Sequence, residues 1–119
     1  MLKKLSGLFF ALFLMSSLHA QVIVDEININ ELEDVKYCEL VGTERLLNNK
    51  IIVQIDHGQP RKFFRQQTIS NKNGNRKNFN SMIDALNFME KNGWSYINSY
   101  TVTSDGTSIY HWLLKRNEE

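Results

Sequence analysis

The sequence has a single cysteine, Cys38, in 119 residues. One cysteine cannot form an intramolecular disulfide, so disulfides cannot stabilise this chain by themselves. We interpret Cys38 as a small buried hydrophobe on a strand, because free cysteine is among the most buried residue types; a reactive or intermolecular thiol is the alternative.

Long apolar runs are also missing after Gln21, because charged or amide residues interrupt each apolar stretch before it becomes long. Since a membrane-spanning helix needs about 20 apolar residues, we predict no membrane span.

The sequence lacks the motifs that carry common enzyme chemistry. Its only histidines are His19, His57 and His111, and no C-x-x-C or H-x-x-x-H spacing places two zinc ligands on one element. There is no G-x-S-x-G nucleophile motif. The segment 72–75 contains one glycine, so it reads as a turn and not as a phosphate-binding loop. We therefore predict no catalytic residue, no cofactor and no metal.

The first twenty residues have the layout of a secretory signal peptide. Lys3 and Lys4 precede an apolar run that is too short to span a bilayer with margin, and a small-residue stretch ends at Ala20. We predict cleavage before Gln21, with a cut at Ser17 as the alternative. No cysteine lies directly after the apolar run, so a lipid anchor has no acceptor there. The expected product is an exported protein, either periplasmic or secreted.

Cleavage would leave 12 basic side chains against 13 acidic ones, a net charge of −1. The distribution is uneven, because acidic residues dominate up to Glu44 and basic residues dominate the middle of the chain. The candidate binding surface is a basic segment with interleaved phenylalanines: Arg61, Lys62, Phe63, Phe64, Arg65, Lys72, Arg76 and Lys77. Such a pattern suits phosphate or stacked bases. Export argues against nucleic acid, which leaves an acidic glycan, an anionic lipid headgroup or an acidic protein; the alternative is a solvated loop anchored by its phenylalanines.

The sequence from residue 21 to residue 69 predicts short strands. Residues 21–34 show no clear period, and we interpret them as an extended arm or a weak edge strand. Residues 35–41 and 50–56 are rich in β-branched and aromatic types and predict a hairpin joined through 42–49. Residues 61–69 favour a third, polar edge strand.

The segment after residue 80 predicts an amphipathic helix. Ser81 can cap it, with Asp84 at the positive end of the helix dipole. Gly93 can take the left-handed conformation that ends a helix, and Trp94 would pack back onto the last turn. The apolar stripe consists of Met82, Ala85, Leu86 and Met89.

Asp105-Gly106 predicts a two-residue turn between two final strands. Counting from the turn pairs Ser104 with Thr107, Val102 with Ile109, Tyr100 with His111, and Ile97 with Leu114. One face would carry Trp94, Tyr96, Tyr100, Val102, Ile109 and Leu113, and the other Ile97, Tyr110, Trp112 and Leu114 beside Ser99 and Thr101. One short helix cannot cover two partly apolar faces. We predict an isologous homodimer built from these strands; alternatively the arm covers the second face.

Residues 79–116 resemble small families in which an amphipathic helix ends in Gly-Trp and is followed by a strand, a turn and a final strand with a basic pair. The residues that carry the resemblance are Met82 to Met89, Gly93-Trp94 and Tyr110 to Arg116. With its signal peptide, the chain also looks like short exported proteins of Bacteroides-type bacteria for which no function is established. The resemblance implies a compact α+β domain and carries over no catalytic residue.

The sequence as a whole predicts an α+β fold of residues 35–119: an antiparallel sheet of four to five strands with one helix packed on a face, in the order β-β-(β)-α-β-β. The predicted function is a non-enzymatic interaction module that self-associates. The alternative is a small ligand-binding protein or enzyme with its site between helix and sheet. A cavity in that seam lined by His111, Tyr100 and a carboxylate would favour the alternative.

Overall fold

The computed structural model describes residues 20–44, 51–60 and 66–118. The predicted signal peptide lies outside the described residues except for Ala20. The strands are β1 (Ile23–Val24), β2 (Ile27–Asn28), β3 (Tyr37–Glu44), β4 (Ile51–Asp56), β5 (Ile69–Ser70), β6 (Trp94–Ser104) and β7 (Thr107–Arg116), and the α-helix is α1 (Met82–Lys91). A 3₁₀ turn, Ile29–Glu31, follows β2. Within this part of the chain the fold is α+β and mostly sheet.

The strands form two antiparallel sheets. The larger has the order β4-β3-β7-β6, and the smaller has the order β2-β1-β5. The predicted hairpin of β3 and β4 is confirmed, with Leu40 opposite Ile55. The prediction of one sheet is correct only in part, because β5 pairs with β1 near the N-terminus instead of joining the larger sheet. The first part of the predicted third strand, residues 61–65, lies outside the described residues.

The segment that we interpreted as an arm contributes to the core. Asp25 and Glu26 both adopt positive φ, 49° and 73°, and form the tight turn between β1 and β2. The Asn28 side chain then accepts a hydrogen bond from the Asn30 amide and starts the 3₁₀ turn. The buried residues of this segment are Val22, Val24 and Ile29.

The helix begins and ends as the sequence predicts. The Ser81 hydroxyl accepts from the Asp84 amide at 3.1 Å, and the Asp84 carboxylate accepts from the Asn80 amide at 2.9 Å. These bonds satisfy amides that the first turn cannot pair. At the other end Gly93 has φ +91°, and Trp94 is fully buried behind it. Local interactions therefore set where this helix begins and ends.

The final hairpin follows the predicted register for most of its length. Asp105 and Gly106 have φ of 52° and 77°, as a two-residue turn requires. The pairs from the turn to Tyr100 opposite His111 are confirmed. The pairing of Ile97 with Leu114 is wrong, because a β-bulge at Ile97 places Tyr96 opposite Leu114.

The bulge changes the predicted faces of the sheet. A bulge inserts one unpaired residue, so the side chains before it change sides relative to those after it. Trp94 and Tyr96 consequently join the face of Leu114, and Trp94 becomes part of the core. The opposite face keeps Tyr100, Val102, Ile109 and Leu113.

The helix and the N-terminal segment both pack on the same face of the larger sheet. A Cβ built on Gly42 of β3 would lie 2.2 Å from Sδ of Met82, so the helix sits directly on the strand. Beside it, Nε1 of Trp94 donates to Oδ1 of Asn30 at 2.8 Å. The predicted alternative, in which the arm covers the second face, is therefore wrong.

Candidate functional site

The face of the larger sheet turned away from the helix carries no other described helix or strand. We call it the open face. Its residues include Tyr37, Glu39, Val41, Thr43, Ile52, Gln54, Asp56, Asn98, Tyr100, Val102, Ser104, Thr107, Ile109, His111, Leu113 and Lys115. Seven of these sixteen side chains are aliphatic or tyrosine, and Tyr100 and Val102 are 55% and 46% exposed. The open face is thus a mixed apolar surface on a rigid sheet.

A polar cluster lies at the centre of the open face. Nδ1 of His111 is 2.8 Å from Oε1 of Glu39, because β3 and β7 place the two residues diagonally across neighbouring strands. The ring of Tyr100 stacks on the imidazole with centroids 4.5 Å apart and planes 5° apart. The carboxylate and the stacked ring together hold the imidazole in one orientation.

This cluster brings together the residue types of the predicted alternative site, but in a different place. His111, Tyr100 and a carboxylate lie on the open face and not in the seam between helix and sheet, which Met82 fills above Gly42. Covalent catalysis needs a nucleophile within reach of the base. The residue opposite His111 on β3 is Val41, and its neighbours on the same face of β7 are Ile109 and Leu113. In the described strands, the residues next to His111 on this face therefore include no serine or cysteine.

The predicted basic surface is described only in part. Arg61, Lys62, Phe63, Phe64 and Arg65 lie outside the described residues. Lys72, Arg76 and Lys77 are exposed, and they lie on a turn whose backbone is held by the Asn71 side chain, which accepts from the amides of Asn73 and Asn75 at 2.9 and 3.1 Å.

Lys77 instead contributes to a groove beside the helix. The groove encloses about 290 Å³ and is lined by Lys77, Asn78, Phe79, Asp84, Asn87, Phe88 and Lys91. The ammonium of Lys77 lies 4.9 Å from the ring centroid of Phe88 and 5.8 Å from that of Phe79. The two rings are 5.7 Å apart. Cations, amides and aromatic rings therefore converge on one concave surface.

Two further titratable groups, Cys38 and His57, have pKa values shifted by burial. Burial raises the pKa of Cys38 to about 12, against the smaller lowering effect of Arg116, so its thiol is neutral at physiological pH and inert as a nucleophile. Burial lowers the pKa of His57. Across residues 20–44, 51–60 and 66–118, no three His, Cys, Asp or Glu side chains are grouped so as to hold a metal ion.

Three residues, Asn30, Asn92 and Arg116, hold the N-terminal segment through contacts that the sequence did not predict. Nη1 of Arg116 donates to the Leu32 carbonyl at 3.0 Å, and its guanidinium lies 5.0 Å from the Trp94 ring centroid. Nδ2 of Asn30 donates to the Asn92 carbonyl at 2.8 Å. Asn92 and Arg116 are more than sixty residues away from Asn30 and Leu32, the residues that they bond in the N-terminal segment, so no local pattern could have identified these contacts.

None of the helices in the described part of the chain is long and apolar enough to cross a membrane. Comparison of the chain with protein-family models, with curated proteins and with solved structures found no match.

Proposed function

We propose that this protein is an exported, non-enzymatic interaction module that associates with a second copy of itself through its four-stranded sheet. The observation that carries the proposal is that the helix and the N-terminal segment both pack on one face of this sheet. Among the described residues, no other helix or strand covers the opposite face of the hairpin of β6 and β7 or pairs with the outer edge of β6, so this face and this edge are available to a partner. A second copy is the simplest partner, since most soluble oligomers are homo-oligomers with closed symmetry.

The chemistry of the open face supports an interface. Antiparallel sheets with one solvated face normally alternate apolar and polar residues. Here the outward positions include Val102, Ile109, Leu113 and Tyr100. Exposed apolar patches beyond a few hundred Å² usually mark interaction sites.

The same surface gives little support to catalysis. His111 is oriented by Glu39, but its neighbours on the open face are apolar. It also lies on an open sheet surface, whereas active sites are ordinarily concave. Cys38, the one thiol of the chain, is buried with a raised pKa. Export is supported by the layout of residues 1–20, with a basic start, a short apolar run and Ala20 before the expected cut.

Sedimentation of the protein beginning at Gln21 tests the self-association. We expect a reversible dimer at tens of micromolar that dissociates on dilution. Deleting residues 21–33 is not a usable variant, because it removes the buried Val22, Val24 and Ile29 from the core. A species that remains monomeric at the highest soluble concentration, with a cooperative melting transition, would contradict the proposal.

The groove beside the helix supports a second candidate function, the binding of a small acidic ligand such as an acidic sugar. Lys77 and Lys91 provide positive charge, and Phe79 and Phe88 provide ring faces. Asp84 also lines the groove, but one of its carboxylate oxygens already accepts a hydrogen bond from the Asn80 amide. A ligand carboxylate would therefore be placed near the two lysines.

Titration with a short oligogalacturonate, followed by calorimetry, tests this candidate. We expect Lys77→Gln to weaken binding about tenfold, because a hydrogen bond to a charged group is lost. Lys72→Gln removes the same charge from the neighbouring turn and is the matched control. Equal affinities for the two variants, or no binding by the unmodified protein, would reject the groove as the site.

A further inference from the structure

The two outer edges of the larger sheet differ. The chain itself closes the β4 edge: Gln54 forms a bridge with Thr68, and the Ile55 amide donates to the Gln67 carbonyl at 2.7 Å. On the opposite side, β6 is the last strand of the order β4-β3-β7-β6. No other described segment pairs with its outer edge.

The β6 edge lacks two of the features that protect natural edge strands, charged side chains and proline. Such edges usually carry lysine, proline or inward-pointing charges that prevent pairing with another chain. No residue of Trp94–Ser104 is charged, and none is proline. The bulge at Ile97 interrupts the strand, so its regular part runs from Asn98 to Ser104. Every residue of this part is exposed.

The geometry of the turn determines which backbone groups point outward. In a two-residue hairpin, the residues that flank the turn, here Ser104 and Thr107, exchange both of their backbone hydrogen bonds. Alternation along the strand then directs the amides and carbonyls of Ser99, Thr101 and Thr103 away from β7. These three residues therefore present unpaired donors and acceptors at the open edge.

We infer that β6 pairs antiparallel with β6 of a second copy, in a register centred on Thr101; the inference rests on the self-association proposed above. This register aligns the outward groups of Thr101 with those of the partner's Thr101, and those of Ser99 with those of the partner's Thr103. It makes about six backbone hydrogen bonds between the two copies. Because Thr101 is midway between Asn98 and Ser104, it is also the register that uses the whole regular segment.

The side chains favour the same register. On the open face, Tyr100 of each copy lies opposite the partner's Val102, and aromatic and β-branched residues are a favourable cross-strand pair. On the other face Thr101 meets the partner's Thr101, and hydroxyl side chains also pair well across strands. The result is one continuous sheet of twice the width, in which the two open faces form a single surface.

A charge-swap experiment tests the pairing. Thr101→Lys places two ammonium groups opposite each other on the symmetry axis, and Thr101→Glu places two carboxylates there. We expect each variant to dissociate about tenfold more readily than the unmodified protein in sedimentation equilibrium, because like charges directly opposite destabilise a strand pair. An equimolar mixture of the two variants should recover the dimer, and this recovery also shows that both are folded.

Two controls separate the edge from the open face. Thr43→Lys introduces the same charge on the open face of β3, and it should leave the dimer unchanged. In a Cys38→Ser background, Thr101→Cys should form a disulfide-linked dimer more readily than Thr43→Cys, because the two Thr101 residues paired across the interface have Cα atoms about 5.5 Å apart.

A dimer that resists both charges at Thr101 but dissociates with Thr43→Lys would overturn the edge pairing and leave the proposed self-association standing. A monomeric unmodified protein would overturn both.

Discussion

Trp94→Ala is expected to lower the free energy of unfolding by about 3–5 kcal/mol, as truncation of a buried aromatic side chain usually does. Trp94 is fully buried. Its indole donates to Asn30 at 2.8 Å, and the Arg116 guanidinium lies over its ring. The substitution therefore leaves a cavity and also releases the N-terminal segment. Urea unfolding followed by circular dichroism measures the loss.

A matched variant separates the two effects. Trp94→Phe keeps most of the buried ring but leaves the side-chain oxygen Oδ1 of Asn30 without its donor, which costs about 1–3 kcal/mol. Tyr37→Ala removes an aromatic side chain that is 51% exposed, and we expect it to change stability by less than about 1 kcal/mol. If Trp94→Ala unfolds at the same urea concentration as Tyr37→Ala, the arrangement of the core around Trp94 is wrong.

The protein is expected to lose stability between pH 9 and pH 12 because of Cys38. Burial raises the pKa of this thiol from 9.0 to about 12 in the folded state. The unfolded chain therefore releases the proton near pH 9, whereas the folded chain keeps it until about pH 12. The stabilising contribution is complete below pH 9 and is lost as the pH rises, by up to about 4 kcal/mol.

Cys38→Ala isolates this contribution, because the variant keeps every other titrating group. These include Tyr110, whose pKa is raised by its hydrogen bond to Glu44. We expect the free energy of unfolding to fall further between pH 8 and pH 11 for the unmodified protein than for the Cys38→Ala variant. Iodoacetamide at pH 8 should label Cys38 in urea and not in the folded state. Rapid labelling of the folded protein would place the thiol at the surface.

Several elements could be predicted from short stretches of sequence. Ser81 and Asp84 at the start of the helix and Gly93 after its end act within a few residues of their own positions. The turn at Asp105-Gly106 depends on two adjacent residues that adopt positive φ. In each case the interactions that determine the element are local, so the pattern of residues was sufficient to predict it.

Other features depended on contacts between distant parts of the chain. The strands β1 and β5 are two residues long, too short to show a period, and they form because each pairs with the other across the fold. The polar cluster on the open face depends on the pairing of β3 with β7, which brings Glu39 to His111. Neither residue has a neighbour in sequence that indicates this partner.

The bulge at Ile97 shows where local and tertiary effects separate. A strict alternation of two would have placed Trp94 on the face of Tyr100, which is solvent-exposed. The sequence by itself determined that a helix, a tight turn and two long strands would form in this order, because caps and turn residues act locally. Only the tertiary structure decided which face each strand buries, because burying Trp94 beside Leu114 offsets the unpaired backbone group that the bulge introduces.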